Sequence, residues 1–127
     1  MKTNIGLWID HRKAVLILNP SAQQEIKIIL SEVEKDPSSS IPEDSQDRKY
    51  QNQLNGYYDE VIALIHEYKS LLILGPGEAK GELEKRLEHK HPSGRSVKLE
   101  TADKLTDHQI AAHVREHFDN ERIIIPV

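Results

Sequence analysis

The chain is expected to fold as an α/β protein in which an antiparallel three-stranded meander is widened by two parallel strands reached through helical crossovers. Three observations carry this expectation. Residues 5–30 hold three short runs with strand periodicity and no helical pattern between them. Beyond residue 53 the apolar residues change to helical spacing, interrupted by two further strand-like runs. The first of these opens the stretch 71–87, LLILGPGEAKGELEKRL, in which a strand, a turn and a helix follow one another directly.

Residues 5–11 alternate, with Ile5, Leu7 and Ile9 on one face and Gly6, Trp8 and Asp10 on the other. Residues 14–18 form a second apolar strand, and the polar run Asp10, His11, Arg12, Lys13 between the two predicts a tight hairpin. After the turn Asn19-Pro20-Ser21, Ile26, Ile28 and Leu30 alternate with Lys27 and Ile29, which predicts the third strand. From Ser31 to Gln53 prolines, serines and acids supply almost nothing that can pack, so a flexible acidic loop is expected at about 31–53. Leu54, Tyr57, Tyr58, Val61, Ile62, Ile65 and Tyr68 then fall on one helical stripe, with Leu64 beside it. Its aromatic residues are assigned to the core rather than to a stacking platform.

The four aliphatic residues 71–74 predict a strand buried on both faces, as in a parallel sheet. Pro76 cannot extend it, and Gly75 and Gly77 tolerate angles that side chains forbid. Gly77 is expected at a positive backbone angle, where an alanine would be costly. Glu78 is expected to open and cap a helix whose Ala79, Leu83 and Leu87 return to the sheet. Residues 89–96 predict a loop and 97–101 a fifth strand. Thr106, with Gln109 three residues on, is a capping-box signature for a last helix through about Phe118, with the stripe Ile110, Ala111, Val114, Phe118. Residues 123–125 before Pro126 suit a short edge strand or a docking tail.

Strand, strand, strand, helix, strand, helix, strand, helix is the ribonuclease H-like order. A flavodoxin-like fold would need helices interleaved from the first strand, and none is predicted there. With 127 residues, the chain is expected to form one domain over 1–127 with a core that needs no covalent staples. It has no cysteine, which excludes disulfides and thiolate metal sites and suits a reducing compartment. No signal-like stretch opens it, and no apolar run approaches the roughly 20 residues that span a bilayer. A soluble, cytoplasmic protein without membrane contact is expected. The net charge of −4, with both signs dispersed, disfavours indiscriminate nucleic-acid binding but leaves room for a local basic patch.

Two segments carry a family resemblance. Residues 6–14, Gly-Leu-Trp-Ile-Asp-His-Arg-Lys-Ala, resemble the opening of the central domain of archaeal and eukaryotic peptide chain release factors and of Pelota, where an apolar strand ends in an Asp-Arg-type hairpin. Residues 71–77, Leu-Leu-Ile-Leu-Gly-Pro-Gly, followed by Lys80, resemble that domain's later strand, turn and Lys-containing helix. The two matches occupy corresponding points of the same order, as in single-domain bacterial proteins of release-factor-like type labelled translational machinery or host-attachment proteins. In release factors the loop after the third strand carries a Gly-Gly-Gln motif that helps position water on the peptidyl ester. Residues 31–53 contain no glycine, so peptide release by that route is not expected. Nor are the flanking domains that read stop codons expected here. The resemblance implies a non-enzymatic binding module associated with ribosome, RNA or a translation factor.

Candidate sites follow from residue chemistry. Lys80, Lys85, Arg86, Lys90 and Arg95, with His89 and His91, gather positive charge along the second helix and the loop after it. Basic residues late in a helix also complement its dipole, and Glu82, Glu84 and Glu88 dilute the patch. Together with His11, Arg12 and Lys13 at the hairpin tip, this is the surface expected to meet RNA or an acidic partner. The turn Gly75 to Gly77 offers amides to an anion at a helix start, in competition with Glu78. The alternative reading is a divalent-metal nuclease or hydrolase using Asp10 and Asp103, with Glu60 or Glu67 as a further carboxylate. The fourth-strand position where such chemistry needs an acid is Gly-Pro-Gly, so Asp10 is assigned instead to ordering its hairpin. His113 and His117 match the inverted zinc-protease pattern in letters, without room for its downstream ligand, and read as a solvated helix flank. No cofactor and no metal are expected. A homo-oligomer formed through residues 123–127 is a further possibility.

Overall fold

The computed structural model describes residues 4–20, 23–31, 43–65, 67–92 and 96–122. Eight elements follow in order: β1 (Asn4–Ile9), β2 (Lys13–Leu18), β3 (Glu25–Leu30), α1 (Glu43–Ile65), β4 (Ser70–Gly75), α2 (Ala79–Lys90), β5 (Ser96–Thr101) and α3 (Asp107–Arg122). The strands form one sheet in the order β3-β2-β1-β4-β5. β1 pairs antiparallel with β2 and β2 with β3, whereas β4 runs parallel to both β1 and β5. This is the ribonuclease H-like α/β architecture expected from the element order.

Strand periodicity divides the core between two faces. On one, Ile5, Leu7, Ile9, Ala14, Leu16, Leu71 and Ile73 meet the buried faces of α1 and α2. On the other, Trp8, Val15, Ile17, Leu72 and Leu74 meet Ile110, Ala111, Val114 and Phe118 of α3. β4 is therefore buried on both faces, which is why its sequence is continuously aliphatic. α3 lies so close to β1 that a Cβ on Gly6 would overlap Val114. The capping box of α3 forms as expected: the Gln109 N–H donates to Thr106 Oγ1 at 3.2 Å, and the Thr106 N–H donates to Gln109 Oε1 at 2.9 Å. The β2–β3 turn places Asn19 at φ 52°, in the left-handed region that asparagine tolerates.

Three expectations need correction. α1 begins at Glu43, so residues 43–53 are helix rather than loop. That stretch contains no glycine or proline, and Glu43 and Asp44 suit a helix start. Its one apolar residue is Tyr50, so it carries no apolar periodicity. Residues 32–42 lie outside the described residues. Within β3, Ile29 packs against the α1 and α2 layer, while Ile26, Ile28 and Leu30 are exposed. Glu78 occupies the N-cap of α2 in a right-handed helical conformation, not the extended one that capping residues adopt, and makes no side-chain capping bond. Gly77 has no positive φ, and a Cβ there would meet open space. The glycine that the turn requires is Gly75, where a Cβ would strike the Ile9 carbonyl of the neighbouring strand. Arg95 and residues 123–127 lie outside the described residues. No helix among the described residues is long and apolar enough to cross a membrane.

Candidate functional site

The β1–β2 hairpin is organised by one carboxylate. Asp10 Oδ1 accepts the N–H of Arg12 at 2.7 Å and of Lys13 at 2.8 Å, while the Asp10 N–H donates to the Lys13 carbonyl at 3.0 Å. This is the turn-forming role that a short acidic side chain performs well. Ser31, at the end of β3, fastens the tip from its other side, its Oγ donating to the His11 carbonyl at 2.7 Å and its N–H to the Arg12 carbonyl at 2.8 Å. From below, the Tyr57 hydroxyl donates to the Asp10 carbonyl at 3.0 Å.

The three basic residues of the tip then diverge. His11 reaches α2, its Nε2 lying 3.1 Å from Glu82 Oε1. The same oxygen accepts the Tyr58 hydroxyl at 2.6 Å, so Glu82 joins hairpin, α1 and α2 at one atom. Arg12 is exposed. Lys13 lies 5.8 Å from the Trp8 ring centre, on the side of the sheet that α3 covers.

α2 is less basic than its letters suggest. Arg86 makes a forked contact with Asp59 of α1, at 2.6 Å from Nε and 3.0 Å from Nη2, and Lys90 reaches the same carboxylate at 3.3 Å. Lys80 folds back to donate to the Gly77 carbonyl at 2.6 Å. Lys85 is exposed and borders two clefts. One, of about 320 Å³, lies between α1 and α2 and is lined by Gln51, Asn55, Tyr58 and Glu82 with Lys85, Arg86 and His89. The other, of about 600 Å³, has Tyr68, Leu87 and Val97 as its floor and Glu84, Lys85, Glu88 and His89 as its rim. Gly75 lends its carbonyl to the Ala102 N–H at 2.9 Å, which ties the strand-to-helix turn to the end of β5.

Electrostatics follow these contacts. Burial, reinforced by the charge of Asp10, pushes the Tyr57 hydroxyl well above its ordinary range. Burial and then the bond to Glu82 do the same to Tyr58, so both hydroxyls remain donors. The bond from Arg86 holds the Asp59 carboxyl below its usual value. His113, 2.9 Å from Glu100 across the opposite face, lowers that carboxyl in the same way. Among the described residues no three His, Asp or Glu side chains are grouped to hold a metal ion. The two carboxylates of the alternative reading are placed differently: Asp10 is engaged in its turn, whereas Asp103 is exposed and bonds Trp8 Nε1 at 3.1 Å through its backbone carbonyl.

The structure therefore brings His11 to α2 and leaves Arg12 and Lys85 exposed. It commits Arg86, Lys90 and Lys80 to internal partners and sends Lys13 to the other face. The residues that make the junction, Asp59, Tyr58 and Glu82, carry no motif. Only Tyr58 falls on an apolar stripe legible in the sequence; Asp59 and Glu82 lie beside the stripes of their helices.

Three solved structures share this arrangement. The Pelota protein of Thermoplasma acidophilum superposes with a TM-score of 0.59 at 19% identity, over 96% of this chain and 34% of that one. Pelota of Archaeoglobus fulgidus gives 0.53 at 18% identity, over 95% of this chain and 37% of its own. This chain has a Pelota-like, release-factor-like fold. An archaeal translation termination factor superposes at 0.50 with 13% identity, over 95% of this chain and 40% of its own. The chain thus spans little more than a third of the length of the structures it resembles. No protein-family model matches it, and no match is found among curated proteins.

Proposed function

We propose that this chain is a non-enzymatic, translation-associated binding module, and that it meets ribosomal RNA through the hairpin tip and the exposed side of α2. The fold it shares with Pelota and an archaeal termination factor supports the association with translation. The observation that carries the choice of surface is the His11–Glu82 contact at 3.1 Å, which fixes the tip beside α2. Arg12 and Lys85, both exposed, are thereby presented from two rigid elements. Phosphate contacts of this kind position a protein on RNA without reading its sequence. Arg95, outside the described residues, follows α2 in the sequence and is counted with this surface on its charge alone, and Gly75 and Gly77 flank the turn that leads into α2. A cytoplasmic location follows from this role.

Sedimentation of the tagged chain with ribosomes from a low-salt lysate tests the reading. The chain is expected in the ribosomal fraction, and Arg12→Glu combined with Lys85→Glu is expected to shift it to the supernatant. Wild-type protein that sediments free of ribosomes, with no translation component copurifying, would sink the proposal.

A further inference from the structure

β3 is an edge strand with one apolar and one charged face. Ile26, Ile28 and Leu30 are 38%, 51% and 60% exposed. They stand on the α3 side of the sheet, since Ile26 pairs with Ile17 and Ile28 with Val15, both members of the core beneath α3. Glu25 and Lys27 alternate to the opposite face, where they pair with each other at 3.4 Å. The other edge strand, β5, differs: Val97 and Leu99 pack against the α1 and α2 layer, which leaves Ser96, Lys98 and Glu100 for the α3 side. An exposed apolar stripe therefore adjoins one edge of the sheet and not the other. Such an edge is a template for a further strand.

The ladder to β2 fixes which backbone groups that edge presents. The Ser31 N–H donates to the Arg12 carbonyl at 2.8 Å, and the register places Leu30 opposite Lys13. Bonded and non-bonded pairs alternate in an antiparallel ladder, so Glu25, Lys27 and Ile29 turn their N–H and C=O groups toward β2, while Ile26, Ile28 and Leu30 turn theirs outward. The residues with exposed apolar side chains are the same ones that offer backbone hydrogen bonds to a neighbour.

We infer that β3 pairs antiparallel with β3 of a second copy of this chain, about a two-fold axis through Ile28. In that register Ile28 faces the partner's Ile28 and Ile26 faces the partner's Leu30. Every outward N–H and C=O of these residues then meets its complement, and the two apolar stripes lie side by side. Neighbouring registers fail. An axis through Lys27 would set two lysines directly opposite each other, a like-charge pair that destabilises. An axis through Ile26 leaves Leu30 opposite no strand residue, and an axis through Ile29 does the same to Ile26. An axis between two residues matches outward groups with inward ones. With the axis through Ile28, Lys27 faces the partner's Ile29 and Glu25 the partner's Ser31, so no like charges meet. A six-residue edge buries less than the roughly 800 Å² per partner of a standard interface, so the dimer is expected to dissociate on dilution.

Sedimentation velocity of the full chain across a dilution series is expected to show monomer and dimer in exchange. Ile28→Lys, at a position exposed in the single copy, is expected to raise the dissociation constant by about tenfold or more. The chain has no cysteine, so single introduced thiols report the register. Across the axis the two Ile28 Cα atoms would lie about 5.5 Å apart, within disulfide reach, whereas those of Lys27 would lie about 8 Å apart, outside it. Under diamide, Ile28→Cys is expected to form a cross-linked dimer and Lys27→Cys is not. A chain that stays monomeric up to its solubility limit overturns the inference. So does a dimer indifferent to Ile28→Lys, or one that cross-links through Lys27→Cys as readily as through Ile28→Cys.

Discussion

Gly6 and Gly77 look interchangeable as letters, and their surroundings make them opposites. At Gly6 the helix α3 is in direct contact with the strand, and a methyl group would have to displace Val114, which is itself buried. Gly6→Ala is expected to destabilise the fold by about 1–3 kcal/mol, the range of overpacked cores. Gly77→Ala, in open space and without a positive φ, is expected to stay within about 0.5 kcal/mol of the parent. Urea midpoints of the two variants check both, and equal midpoints would contradict the packing of α3 on β1. A second residue-scale expectation concerns Asp59, whose carboxyl is lowered from 3.8 chiefly by the bond from Arg86. A depressed folded-state pKa contributes stability that is present above the ordinary carboxylate value and is lost as pH falls through the lowered one. The pair is part-exposed, so the effect is modest. Arg86→Met is expected to flatten the decline of the urea midpoint below pH 4, and an unchanged acid slope would remove Asp59 from the account.

At the scale of elements, the hairpin depends on Asp10 more than on its basic neighbours. Asp10→Ala removes the acceptor of two turn amides, with an expected cost of about 1–2 kcal/mol and faster hydrogen exchange at Arg12 and Lys13. Unaltered exchange there would mean that Ser31 and Tyr57 alone hold the tip. The hairpin, the twice-buried β4 and the capped α3 were legible in the sequence because each is dictated by local chemistry: a turn acid, a run of aliphatics, a Thr-Gln pair. The first eleven residues of α1 were not, since Tyr50 is their one apolar residue and a single residue makes no stripe. Nor was the site itself legible. That Arg86 is neutralised by Asp59 while Lys85 stays exposed depends on how α1 lies against α2, and residues 27 apart in the chain carry no mark of that meeting. Spacing places charges on a helix, but only packing decides which of them reach solvent.

For the whole molecule, the sheet separates two tasks. The α3 side is a packing layer, closed over Trp8 and Val114, whereas the α1 and α2 side carries the clefts and the His11–Glu82–Tyr58 junction. The overall charge is −4, which disfavours long-range attraction to RNA, so affinity must come from a few local cations. Binding to RNA releases counterions in proportion to the phosphates neutralised. With Arg86, Lys90 and Lys80 committed to internal partners, the exposed Arg12 and Lys85 remain as the main contributors on the proposed face. The logarithm of the association constant with ribosomes is therefore expected to fall shallowly with the logarithm of salt, by a slope of about two, and Arg12→Ala should reduce that slope by about one. Titrations across a salt series measure it. A slope several-fold steeper would mean that the committed cations leave their carboxylates on binding, and a slope near zero would mean that the contact is made to protein rather than RNA.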